Sequence, residues 1–152
     1  MEVKVIDHGF DKYKKAIEEL HSKQIQVGMF AKVGDKVLTK AIVNEFGTTQ
    51  AGKNNDVTIP ERSFIRSTYN RQYKKVGKRF DQIFVSISKG NYNIIPRLKL
   101  IGLEQETETK KTVTDMRTPE NAESTIAKKG SSHPLIDTGE MRSKISHEVK
   151  NK

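Results

Sequence analysis

The stretch from Pro60 to Lys89 restricts the fold of this chain more than any other. Tyr69, Tyr73, Val76, Phe80, Ile83 and Ile87 recur alternately four and three residues apart, which lines one face of a helix and cannot line one face of a strand. Ile65 and Phe84 widen the stripe. Pro60 suits a first helical turn, where its missing N–H would go unpaired anyway, and Gly90 suits a left-handed stop. The pattern predicts a helix of about 40 Å that carries most of the large aromatic side chains on its buried face and serves as the spine for other elements. Its opposite face presents Arg71, Lys74, Lys75, Lys78 and Arg79, which stay in water or meet something acidic.

Shorter elements surround this spine. Val3 and Val5 alternate with polar neighbours in a strand over Glu2–Asp7, and Phe10, Tyr13, Ile17 and Leu20 predict a helix from about Gly9 to Ser22. Gln24–Phe30 reads as a second strand, followed by a turn at Val33-Gly34-Asp35. Leu38, Ala41, Ile42 and Glu45 share one face of a helix over Lys36–Phe46, stopped by Gly47. Residues 48–57 are polar, small and aperiodic, and predict a surface loop. A long, partly polar helix is expected within 91–117, starting near Asn93 or Ile94 so that Pro96 falls in its first turn. Its middle, Glu104–Lys111, has no large apolar side chain, so it either bridges solvent or awaits a neighbouring subunit.

A short helix over Asn121–Lys129 comes next. Asp137-Thr138-Gly139-Glu140 has the spacing of a capping box, and Ile145, His147 and Val149 alternate in a terminal strand that joins the two early ones. The fold class is therefore α+β, a small mixed or antiparallel sheet packed against one long and several shorter helices, in a single domain over 1–152.

With 34% hydrophobic and 31% charged residues, the core must be thin, and part of the surface is expected to be finished by partners. The net charge of +9 favours polyanions, although a solvated lysine-rich surface has the same composition. The tyrosines and phenylalanines near the basic run fall on the stripe expected to be buried, which argues against an aromatic nucleic-acid platform. The chain has no cysteine, so it has neither disulfides nor thiolate chemistry. Without a signal-like segment or a long apolar run, a soluble protein made in a cytoplasm and free of membrane is expected.

The histidines His8, His21, His133 and His147 stand in unrelated contexts without metal-ligand spacing. Ser132, His133 and Asp137 lie too close in sequence for a base on another element to orient a nucleophile. Glu108-Thr109-Lys110 mimics part of a nuclease signature but lacks an aspartate on a preceding strand. No phosphate loop or dinucleotide fingerprint occurs. The expectation is a protein without catalytic residues, cofactor or metal.

Two stretches are more specific. Val43-Asn44-Glu45-Phe46-Gly47-Thr48 leads through the loop to Ile59-Pro60-Glu61-Arg62-Ser63-Phe64-Ile65-Arg66, and far downstream comes Lys129-Gly130-Ser131-Ser132-His133-Pro134-Leu135-Ile136-Asp137-Thr138-Gly139-Glu140-Met141-Arg142-Ser143-Lys144-Ile145. Together these resemble the neck and tail-completion proteins of long-tailed bacteriophages. The matching positions are Pro60, Arg62, Phe64, Pro134, Leu135, Asp137, Thr138, Gly139, Met141 and Ile145, and Lys144 departs from the serine common before the isoleucine. The resemblance spans about Gln26 to Val149.

It implies a virion structural protein assembled in the bacterial cytoplasm, a hexameric or dodecameric ring at the head-tail junction. Its expected partners are copies of itself, a head connector or head-closure protein, a tail-terminator or tail-tube protein, and transiting genomic DNA. A tail-terminator ring and a basic DNA-binding or packaging accessory protein are the alternatives.

Overall fold

The computed structural model of the chain describes residues 9–30 and 33–152. The strand expected over 2–7, and His8, lie outside the described residues. The described elements are α1 (Phe10–Ser22), β1 (Lys23–Gly28), α2 (Asp35–Phe46), β2 (Thr48–Ala51), β3 (Val57–Ile59), α3 (Phe64–Ser88), α4 (Ile95–Asp115), α5 (Glu123–Lys129), α6 (Glu140–Ser143) and β4 (Ser146–Asn151). This is the expected α+β class, with two small antiparallel sheets of two strands each among the described residues. β1 pairs with β4 so that Ile25 opposes Val149 and Val27 opposes His147.

The expected spine gives way to α4 as the organising element. α3 and α4 contact each other, and α4 also touches both strands of the β1–β4 sheet and α6. Apolar residues gather at the two ends of this helix pair. At one end Ala16 and Leu20 of α1 meet Ile83 and Ile87 of α3 and Leu98 and Ile101 of α4. At the other, Phe64 and Val113 meet Val37 and Ala41 of α2, with Leu135, Met141 and Ile145.

Between the two cores runs a polar seam. Thr68, Gln72, Thr109 and Thr112 are buried there, and the Thr68 and Thr112 hydroxyls lie 2.6 Å apart. Part of the midsection Glu104–Lys111 therefore packs against its own chain, through the buried Thr109. Buried hydroxyls remain affordable because each threonine also reaches a main-chain carbonyl one turn back, as Thr68 does with Phe64 and Thr109 with Gln105.

This seam also corrects the predicted stripe on α3. Tyr69 is 68% exposed and Tyr73 51%, while Thr68 and Gln72 turn inward. A tyrosine facing the seam would have to bury its ring against hydroxyls and still find a partner for its own O–H, whereas threonines let the helices approach. Only Ile83 and Ile87 of the predicted stripe are fully buried, with Val76 and Phe80 partly so.

Two segments differ from expectation. Residues 48–57 are not an irregular loop; β2 and β3 form a hairpin in which Thr48 opposes Ile59 and Ala51 opposes Val57, with an irregularity between. Both arms are largely exposed, so no buried side left an alternating signal in the sequence. α3 begins at Phe64, and Pro60 precedes the helix instead of lying in its first turn. The Arg62 main-chain N–H donates to the Asn44 carbonyl at 2.6 Å, which holds this segment extended against α2. Gly47, at φ 71°, makes that approach possible, since a Cβ there would lie 2.9 Å from the Glu61 nitrogen.

His147 of β4 packs onto α4 at Gly102. A Cβ at Gly102 would stand 2.5 Å from His147 Cδ2 and 3.2 Å from its Cβ, so rotating the ring would not clear the clash. Alanine gains about 1 kcal/mol over glycine inside a helix, while overpacking costs about 1–3 kcal/mol. We expect Gly102→Ala to be destabilised on balance by about 1 kcal/mol, read as a lower thermal midpoint, and a rise in the midpoint would show that the sheet yields.

Candidate functional site

The motif residues, separated by most of the sequence, meet at one end of the molecule. Phe64 is fully buried beside Leu135, Met141 and Ile145. Arg62 is buried just before α3, and its guanidinium donates to the Pro119 carbonyl at 2.6 Å, the Glu120 carbonyl at 2.6 Å and the Asn44 side-chain oxygen at 3.2 Å. Burial lowers its pKa from the ordinary arginine value, though such a group stays protonated. One arginine thus ties α2, the start of α3 and the segment after α4 into a single unit.

Glu45 is a structural residue that the sequence reading placed on an apolar helical face without assigning it a role. It is only 4% exposed, and its carboxylate accepts from the main-chain N–H groups of Ile65 and Arg66 at 2.9 and 3.0 Å. The Arg66 side chain adds a bond at 3.1 Å. The carboxylate therefore satisfies free amides at the start of α3, where the helix dipole favours negative charge, and Ser63 makes no side-chain cap. Its signal in the sequence was a lone acid on the inward face of α2.

Pro134, Leu135, Asp137, Thr138, Gly139 and Met141 line a cleft of about 160 Å³ with Lys40 and Lys129. The expected capping box is not made. Gly139 takes the cap position in a left-handed conformation, and the Glu140 N–H reaches the Thr138 hydroxyl at 3.3 Å rather than Asp137. A left-handed residue at that point turns the chain away from the geometry in which Asp137 could reach the first turn. Burial lowers the Lys129 pKa, opposed by the charge of Asp137, and its ammonium donates to the His133 carbonyl at 2.8 Å.

The predicted basic face divides in two. Arg79 donates to both oxygens of Glu104, at 3.1 and 2.6 Å, and Arg71 reaches the Thr112 hydroxyl at 2.7 Å with Glu108 at 3.8 Å. Both arginines are committed to holding α3 on α4. Lys74, Lys75 and Lys78 remain exposed and make no ion pair among the described residues. The Lys74 ammonium lies 5.9 Å from the centre of the Tyr73 ring.

A further polar link joins α4 to the sheet. Glu106 accepts from Lys110 at 2.6 Å and pairs with His147 Nδ1 at 2.6 Å. Burial alone would raise its pKa, but the bonds from Lys110 and His147 outweigh it and hold the carboxyl below its usual range. A folded-state pKa below the unfolded one means stability that is present at neutral pH and lost as pH falls through the folded value. Glu106→Gln should therefore flatten the acid side of a stability–pH curve, and an unchanged slope would remove Glu106 from that role.

Among the described residues no group of three His, Cys, Asp or Glu could hold a metal ion. Nor is any helix among them long and apolar enough to cross a membrane. No protein-family model, no curated protein and no solved structure matches the chain.

Proposed function

We propose that this protein is a structural subunit of a tailed-phage virion, a ring-forming neck or tail-completion component that joins the tail to the DNA-filled head. The observation that carries this reading is the convergence of the resembling motifs. Phe64, Leu135, Met141 and Ile145 share one core, and Arg62 fastens the same region. In this reading the motif residues build a scaffold, and the subunit acts through the shape of its exposed faces, with no bond-making centre. Head-to-tail contacts between such subunits close into a ring when the rotation permits.

The test is direct. The purified chain should give a mass of six or twelve subunits, following the ring sizes that the resemblance implies, and virions should contain it at the head-tail junction. Particles lacking it should accumulate normal tails beside filled heads. Overlong tails would instead favour the terminator reading, and a strict monomer absent from virions would end both.

The exposed Lys74, Lys75 and Lys78, which make no ion pair among the described residues, support a second reading, contact with DNA. Three phosphate contacts give a salt slope of about −3 in log K against log salt, so Lys→Gln changes at all three should remove a slope of that size.

A further inference from the structure

Among the described residues β1 is hydrogen-bonded on one side only, to β4. Beside it β1, α3 and α4 enclose a groove of about 280 Å³, where Ile25 and Val27 face Tyr69, Val76, Phe80 and Ile101. Not one charged side chain lines it, in a chain that is 31% charged. The exposed ring of Tyr69 forms its lip.

The β2–β3 hairpin has matching properties. Its arms, Thr48–Ala51 and Val57–Ile59, are uncharged, and Lys53 and Asp56 stand only in the turn between them. Val57 is 48% exposed. A two-stranded hairpin is marginal in water, and its edges, which pair with no further strand among the described residues, are templates for another strand. Each arm is short enough to lie along the six residues of β1.

From these two features we infer that the groove beside β1 receives the β2–β3 hairpin of a second copy, an arm of the hairpin lying along β1 with Val57 turned into the groove. Electrostatics selects this occupant. A chain of net charge +9 repels its own copies across most of its surface, so copies approach at least cost where both faces are uncharged. Groove and hairpin are two such faces, and they are unlike each other, as a head-to-tail contact requires. The inference rests on the ring reading and supplies the contact that closes it.

Because the chain lacks cysteine, introduced thiols report contacts without background. Thr58→Cys places a thiol on the hairpin and Tyr69→Cys one at the groove lip, both at exposed positions. A short bismaleimide should link the two variants into dimers when they are mixed, and a chain carrying both should give a ladder ending at the ring number. Lys75→Cys, on the basic face, serves as the control for Tyr69→Cys. Separately, Val57→Lys should keep the thermal midpoint yet weaken self-association about thirtyfold, the scale of a central interface residue. Rings that persist in Val57→Lys, or that link Thr58→Cys to Lys75→Cys as readily as to Tyr69→Cys, would overturn the groove contact and leave the ring reading standing. Rings that nuclease dissolves would also overturn it, in favour of nucleic acid. A wild-type chain that stays monomeric and absent from virions would remove both.

Discussion

Phe64→Ala is expected to lose about 3–5 kcal/mol of folding stability, the largest effect of any single truncation in the chain. The ring is fully buried at the first position of α3, and it packs in the cluster that holds Val37 and Ala41 of α2, Val113 of α4, and Leu135, Met141 and Ile145. Truncation leaves a cavity that three elements must collapse around together, and each is also fixed by polar bonds nearby. Since domains of this size are stable by only about 5–15 kcal/mol, the variant should melt far below the wild type or fail to accumulate. Tyr69→Ala, five residues along the same helix but on the outside, should stay within about 0.5 kcal/mol of the parent. Denaturant unfolding of the two variants tests which side of α3 is buried, because the predicted aromatic stripe would have made Tyr69 costly.

Arg62→Ala should follow, at about 3 kcal/mol. The guanidinium satisfies two main-chain carbonyls and one side-chain amide in a part-buried site, and leaving a buried acceptor unpaired costs about 1–3 kcal/mol. Water entering the opened site recovers part of that loss, which holds the sum near the middle of its range. Arg62→Lys keeps the charge but not the planar fork that reaches Pro119 and Glu120 together, so about half the loss should remain. Hydrogen exchange should show the segment around residues 119–122 opening first in both variants. If Arg62→Ala unfolds no more easily than the parent, Arg62 is not the fastener of this region.

The elements read most directly were those whose periodicity matches a single buried face. α1, β1, α2 and β4 lie within about two residues of their predicted ranges, and Gly47 stops a helix as expected. The motif residues were also legible, although their convergence was not. Nothing in the spacing says that Arg62 reaches Pro119 or that Glu45 caps α3. Such bonds depend on a distance in space, and each is one polar residue against a background of many. The groove and the hairpin were hidden for a related reason, since an exposed surface leaves no repeating pattern.

Local pattern alone determined that this chain would alternate short strands with helices, where several of those helices stop, and that a polar band would interrupt α4. Only the tertiary structure decided what that band does. Opposite it, α3 rotates Thr68 and Gln72 inward and leaves Tyr69 and Tyr73 in solvent, because a face made of hydroxyls pairs with hydrogen-bonding side chains more cheaply than with aromatic rings. Periodicity establishes that a helix has an apolar stripe; what lies across from it selects the side that is buried.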